Sequence, residues 1–224
     1  HAYLGPEYRD EEIAQYLEAH AIPHRRLPRA ELLSETARLI ADGNVIGWFQ
    51  GRMEFGPRAL GGRSILADPR DAKMRDTLNM KIKFREGFRP FAPSVLADKA
   101  SEWFEIDCDS PYMLLVAQVR EGKQVIPSVT HVDNSARLQT VTRDSNPLYY
   151  DLIAEFEKLT GVPILINTSF NVRGEPIVCT PKDAYLCFMR TNMDQLVLGH
   201  QLLEKREQPA LREDVDWRTL YELD

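Results

Sequence analysis

The sequence predicts an α/β protein built on an open, twisted sheet with helices packed on it. Three observations carry this reading. Apolar residues recur at helical spacing in 29–41 (Leu32, Leu33, Ala37, Ile40) and in 147–159 (Leu152, Ile153, Phe156, Leu159). Short apolar runs at Val45–Phe49, Val162–Ile166 and Gln195–Leu198 read as strands. The two element types alternate irregularly, which argues against a regular doubly wound order.

Taken in order, a helix is expected over Glu11–Ala19 and a short strand over Ile22–Leu27. The helix Arg29–Ala41 follows Pro28 and stops at Gly43. The strand Val45–Phe49 leads into a glycine-rich loop and the strand Arg63–Leu66. Asp68 and Asp71 are expected to cap a helix that runs to about Lys81. A strand near Ser94–Leu96, a short helix Lys99–Phe104 and a strand Met113–Val119 come next. Residues 121–138 look irregular, and Leu138–Thr142 reads as a strand. The helix Pro147–Leu159 precedes the strand Val162–Ile166, which breaks into small polar residues. The helix Lys182–Arg190 and the strand Gln195–Leu198 complete the pattern. Residues 1–40 read as a leader packing on a domain of 41–200, and 201–224 as a charged, partly helical tail.

Three segments carry chemistry. In Ile164–Ala184 a buried strand ends in Asn167, Thr168, Ser169 and Asn171. Short amide and hydroxyl groups at a strand's carboxyl end suit a polar ligand, since open α/β sheets bind ligands there. Residues two apart in an extended chain share a side. Ser169 and Asn171 are therefore expected to face one ligand while Phe170 enters the core. The second segment, KIKFREGFRPFAP at 81–93, places Lys81, Lys83, Arg85 and Arg89 within nine residues of an acidic chain of net charge -6. A local basic cluster on an acidic protein points to a small-anion site rather than a nucleic-acid face. Phe84, Phe88, Pro90, Phe91 and Pro93 are expected to pin this loop against the core. The third, GRMEFGPRALGGRSIL at 51–66, combines four glycines with Arg52, Arg58 and Arg63, whose guanidinium forks suit phosphate or carboxylate. It lacks the GxxxxGK[ST] pattern of a Walker loop.

Composition narrows the class. Of 224 residues, 43% are hydrophobic and 28% charged, as in soluble globular proteins. No apolar run approaches the ~20 residues of a membrane span, and HAYLGPEYRDEE has no signal-peptide pattern. That amino end lacks a methionine and is expected to be the start of a cut or processed chain. Three cysteines without CxxC spacing argue against a disulfide framework or zinc site and favour a reducing, cytoplasmic setting. The five histidines show no metal spacing, and no metal-ligating residues are expected; His131, which opens the HVDNSARLQTV block, is read either as lying near a binding cleft or as a satisfied structural residue.

Together, GRMEFGPRALGGRSIL, KFREGFRPFAPSVL, HVDNSARLQTV and NTSFNVRGEPIVCTP resemble hallmark blocks of the C-terminal, YrdC-like domain of NodU/CmcH-type O-carbamoyltransferases. The resemblance runs from about residue 40 to about residue 200, with a weaker lead-in at HAYLGPEY. More distantly, Lys83 and Arg85 followed by Arg89-Pro90-Phe91-Ala92, with Ser169 and Asn171, are similar to the K-x-R and S-x-N signatures of threonylcarbamoyl-AMP synthases and HypF. The resemblance implies a twisted, mixed sheet. It implies catalytic roles for Lys83, Arg85 and Arg89, and substrate or nucleotide binding by Arg58 and Arg137. Arg52, Asn167, Thr168, Ser169 and Asn171 are further binding candidates. It also implies a cleft for carbamoyl phosphate and ATP, with Mg²⁺ arriving on the nucleotide, and carbamoyl-adenylate as product. Transfer to a hydroxyl acceptor would then fall to an N-terminal domain bearing a metal site. Two other classes stay open: a threonylcarbamoyl-AMP synthase-like enzyme, and a non-catalytic RNA-binding or assembly module, which the acidic composition disfavours.

Overall fold

A computed structural model describes residues 1–211 except Arg85, Glu86, Phe88 and Arg173. Its elements are α1 (Asp10–Ala19), β1 (Arg25–Arg26), α2 (Arg29–Ala41), β2 (Ile46–Phe49), β3 (Arg63–Ala67), α3 (Met74–Lys81) and β4 (Ala92–Leu96). There follow α4 (Ala100–Trp103), β5 (Val116–Gln118), β6 (Ser135–Arg137), β7 (Gln139–Val141) and α5 (Pro147–Thr160). The last are β8 (Ile164–Ser169), α6 (Pro181–Arg190), β9 (Gln195–Leu198) and β10 (Gln201–Glu204).

Eight strands form one sheet in the order β1-β10-β9-β2-β3-β8-β4-β7, and β5 pairs with β6 in a separate ribbon. The large sheet is mixed: β2 runs parallel to β9 and β4 to β7, while β8 is antiparallel to both β3 and β4. Every residue of β2, β3, β4 and β9 is buried. Successive strand residues point to opposite faces, so both faces of the central sheet are covered. The cover comes from the amphipathic helices. α2 and α5 pack against each other and over β3, β4 and β8, and α1 and α6 cover β2, β9 and β10. Arg29 of α2 bonds Asp151 of α5 at 2.7 Å across the first pair.

Local chemistry fixes the element ends. Asn146 accepts from Tyr149 N ahead of Pro147, starting α5, and Gly161 ends it at φ 72°. Thr180 and Asp183 form a reciprocal capping box at α6. Five expectations change, the first being that the strand expected over Ile22–Leu27 shrinks to Arg25–Arg26. The α3 helix begins at Met74, because the Asp68 carboxylate is engaged by Arg70 at 2.6 Å and Asp71 bonds Lys73 N. The strand expected over Met113–Val119 shrinks to Val116–Gln118, with Met113 at φ 57°. Ser135–Arg137, within the stretch read as irregular, is a strand because it pairs with β5. The expected tail opens as β10, paired antiparallel with β9. Residues 212–224 lie outside the described ones.

Candidate functional site

Three structures converge beside the β8 end: the glycine-rich loop, the entry to β4 and the β5–β6 ribbon. The strand read as Val162–Ile166 runs Ile164–Ser169, so Asn167, Thr168 and Ser169 lie within it and Asn171 just beyond. Asn167, Thr168 and Ser169 pair with Leu66, Ile65 and Ser64 of β3. Around this end lies a cavity of about 150 Å³ lined by Arg58, Ala92, Met113, Arg137, Asn167 and Ser169, among others. An adjoining groove of about 490 Å³ shares Pro90, Phe91, Ala92 and Arg137 with it and adds Arg89, Val116 and His131.

The cavity is cationic without a counter-charge. Its lining contains Arg58 and Arg137 but no Asp or Glu. The Nε atoms of both arginines are buried and have no hydrogen-bond partner. Burial, then the nearby Arg58 charge, pushes the Arg137 guanidinium below its ordinary pKa. Two guanidiniums held together at this cost have the charge that suits an anion. The third unpartnered buried atom on the lining is Asn167 Oδ1.

The loop carrying Arg58 is held from both ends. Glu54 is buried, and its Oε1 accepts from Leu60 N at 2.7 Å and Gly62 N at 2.6 Å. Arg63 is fully buried and donates to the carbonyls of Gln50, Gly51, Gly62 and Pro6. Its guanidinium lies 3.5 Å from the Phe49 ring centroid, and burial pushes its pKa down to about 10. Arg63 thus spends its fork on the backbone rather than on a ligand. Gly61 sits at φ 106°, where a Cβ would come within 2.3 Å of the Tyr149 ring. The amino-terminal residues brace the same loop. Gly5 N bonds Met53 O, Phe55 N bonds Ala2 O, and Tyr3 Oη donates to Leu60 O.

The basic loop is only partly pinned by its aromatics. Phe91 is buried, as is Pro93, but Phe84 is 44% exposed and Pro90 is exposed. The fixing residue is the buried Asn79, which donates to Gly87 O and Arg89 O. Lys83 is buried too. Its Nζ donates to Ser169 O and Asn171 O at 2.5 and 2.9 Å, and to Asn171 Oδ1 at 2.7 Å. Ser169 and Asn171 share a side, with Ser169 Oγ bonding Asn171 Oδ1 at 2.7 Å, and Phe170 is fully buried between them.

The family model described as carbamoyltransferase C-terminus matches residues 37–205. The chain belongs to that family. Nodulation protein NolO of Bradyrhizobium diazoefficiens is 49% identical over 97% of the chain and 40% of its own length. An uncharacterized Synechocystis protein, sll1178, is 52% identical over the whole chain and 40% of its own length. The chain thus spans about two fifths of these curated relatives. Among solved structures, full-length HypF in a phosphate- and nucleotide-bound form superposes with a TM-score of 0.56 at 17% identity, over 75% of this chain and 25% of HypF. Sua5 of P. abyssi bound to L-threonine gives 0.54 at 13% identity, over 79% and 49%. These likenesses show that the carbamoyltransferase C-terminal chain has the YrdC-like fold.

Within this carbamoyltransferase C-terminal chain, the candidates named from sequence divide by location. Arg58, Arg137, Asn167, Thr168 and Ser169 line the cavity, and Arg89 lines the groove. Lys83 and Asn171 stand behind Ser169 as a bonded pair. Arg52 turns the other way, bonding Gly5 O and pairing with Glu7 at 3.5 Å. Arg85 lies outside the described residues. Sequence reasoning missed Glu54, Asn79, Ser94 and Gln139, buried polar residues that organise the site. A polar residue inside an otherwise apolar strand, such as Ser94, was the available signal.

Proposed function

We propose that this chain activates a carbamoyl group as carbamoyl-adenylate, taking carbamoyl phosphate, ATP and water to carbamoyl-adenylate, phosphate and pyrophosphate. The observation that carries the reading is the pair Arg58 and Arg137, lining one cavity with unpaired Nε atoms and no acid beside them. Carbamoyl phosphate is a small dianion, and charge-assisted bonds from planar guanidiniums suit it. The groove past Pro90–Ala92, with Arg89 and His131, has room for the nucleotide. Membership of the carbamoyltransferase C-terminus family supports a carbamoyl rather than another acyl group.

The proposed work of the protein is positioning and charge stabilisation. Arg58 and Arg137 would hold the phosphoryl oxygens and offset the repulsion between two anionic substrates. Glu54 and Arg63 keep the Arg58 loop in place before substrate arrives, so little reorganisation accompanies binding. Catalytic roles for Lys83, Arg85 and Arg89 remain part of the proposal. ATP would carry its own Mg²⁺; the cavity lining offers that ion no carboxylate, so no step is assigned to the ion through these side chains. Transfer to a hydroxyl acceptor is assigned to the portion of the relatives that this chain does not span. A cytoplasmic setting fits these substrates, and among the described residues no helix is long and apolar enough to cross a membrane.

The test is pyrophosphate release from ATP on adding carbamoyl phosphate, with the products read by mass spectrometry. A carbamoyl-adenylate mass is expected. Threonylcarbamoyl-adenylate from bicarbonate and threonine, without the carbamoyl phosphate product, would overturn the assignment.

A further inference from the structure

Asn167, a residue of the cavity lining, holds a buried acceptor without a partner, and the charged groups of that lining are all donors. Its amide orientation is fixed by a chain of bonds that begins at backbone carbonyls. Leu60 O can only accept, and Gln139 Nε2 donates to it at 2.9 Å. Gln139 Oε1 must then face the other way, where it accepts from Ser94 Oγ at 2.6 Å and Asn167 Nδ2 at 2.9 Å. Asn167 Nδ2 also donates to Ala59 O at 3.1 Å, another group that can only accept. With its nitrogen so committed, Asn167 turns its Oδ1 away from the network. That oxygen is buried and unpartnered in a side chain only 1% exposed.

Three buried polar atoms on the cavity lining lack partners: Arg58 Nε, Arg137 Nε and Asn167 Oδ1. The first two call for an anion. The third repels an anion and calls for an N–H or O–H. A buried carbonyl left without a donor is costly, so a ligand that supplies one gains what a ligand without one loses. An acyl phosphate dianion such as acetyl phosphate satisfies the guanidiniums alone, whereas inorganic phosphate brings an O–H of its own. A carbamoyl phosphate satisfies all three, because its amino group lies on the carbon next to the phosphoryl ester.

We propose that Asn167 is the specificity-determining residue of this cavity, its Oδ1 accepting from the amino group of the carbamoyl moiety and so selecting an amide over an acyl methyl. The inference rests on the proposed anion reading of the cavity. Sites built to bond a substrate N–H reject analogues that lack it far more strongly than apolar pockets discriminate by size.

The probes are carbamoyl phosphate and acetyl phosphate, which differ by NH₂ against CH₃, with inorganic phosphate alongside. Affinities are measured calorimetrically on the intact chain, with freshly dissolved acyl phosphates in the cold. Carbamoyl phosphate is expected to bind at least ~10-fold more tightly than acetyl phosphate. In Asn167→Leu that ratio should fall to near unity. Asn167→Ala, which leaves room for water to serve Ala59 O and Gln139, replaces it if the leucine variant does not fold. Equal binding of the two acyl phosphates by the wild type overturns the role of Asn167 and leaves the anion site standing. A ratio that survives in a folded variant also overturns it. Binding of none of the three phosphates overturns the anion reading itself.

Discussion

Lys83 Nζ lies 2.7 Å from Asn171 Oδ1, joining the basic loop to the segment just beyond β8. The ammonium also reaches Ser169 O, Ser169 Oγ and Asn171 O, and the side chain is only 4% exposed. The family resemblance implies a catalytic role for this lysine, and its bonds to backbone and side-chain oxygens give it a structural one beside it. Lys83→Met should therefore lower stability, by about 1.5–3 kcal/mol for the charge-assisted bonds removed. Urea denaturation measures it, and an unchanged midpoint would show that this cross-link contributes nothing.

Arg58 and Arg137 should behave in the opposite way. Neither forms an ion pair among the described residues, and their charges disfavour one another. Arg137→Gln removes a half-buried, repelled charge, so the melting temperature is expected to hold or rise. Pyrophosphate affinity should fall ~10-fold or more, the equivalent of a lost charge-assisted bond. A variant that melts early yet binds pyrophosphate normally would mean that Arg137 is structural.

Arg58 was visible as one of three arginines in a glycine-rich turn, and Arg137 only through the resemblance of HVDNSARLQTV to the carbamoyltransferase blocks. Arg63 looked identical in type and neighbours, yet its guanidinium is folded back onto Phe49 and four carbonyls. Only tertiary structure decides which arginine faces solvent. Asn79 and Gln139 were illegible for a similar reason: each bonds backbone of a segment distant along the chain or past a turn. The β5–β6 ribbon was half-missed because β6 has only three residues and draws its register from its partner. The long amphipathic helices and buried strands were legible, since periodicity is written within each one.

Gly47 and Phe170 offer a packing test of the sheet behind the site. A Cβ on Gly47 would stand 2.7 Å from the Phe170 ring. Phe170→Ala removes a fully buried ring and should cost about 3–5 kcal/mol. Gly47→Ala overpacks the same contact, at about 1–3 kcal/mol. The pair Gly47→Ala with Phe170→Leu should recover part of that loss, because the smaller side chain makes room for the methyl. A double variant no better than the sum of the singles would mean that the two residues are not coupled through this contact.

Lys205 gives the chain a pH dependence with a definite sign. Its Nζ donates to Thr191 O at 2.9 Å and to Phe188 O, and lies over the Phe188 ring. Burial disfavours the ammonium and outweighs the opposing Cys187 and Asp194 contributions, pushing the pKa from 10.5 to about 8. Between those values the unfolded chain holds the proton that the folded chain has released. The unfolded state therefore binds more protons there, and stability contributed by this group rises with pH from about 8 to about 10.5. Tyrosines with raised pKa values, Tyr3 among them, act in the opposite direction at the upper end of that window. Comparison with Lys205→Met removes them, because both proteins carry the same tyrosines. The difference in melting temperature, wild type minus variant, should grow more positive from pH 7.5 to pH 10. A flat or falling difference would show that the two carbonyls and the Phe188 ring hold Lys205 charged throughout, with burial the weaker influence.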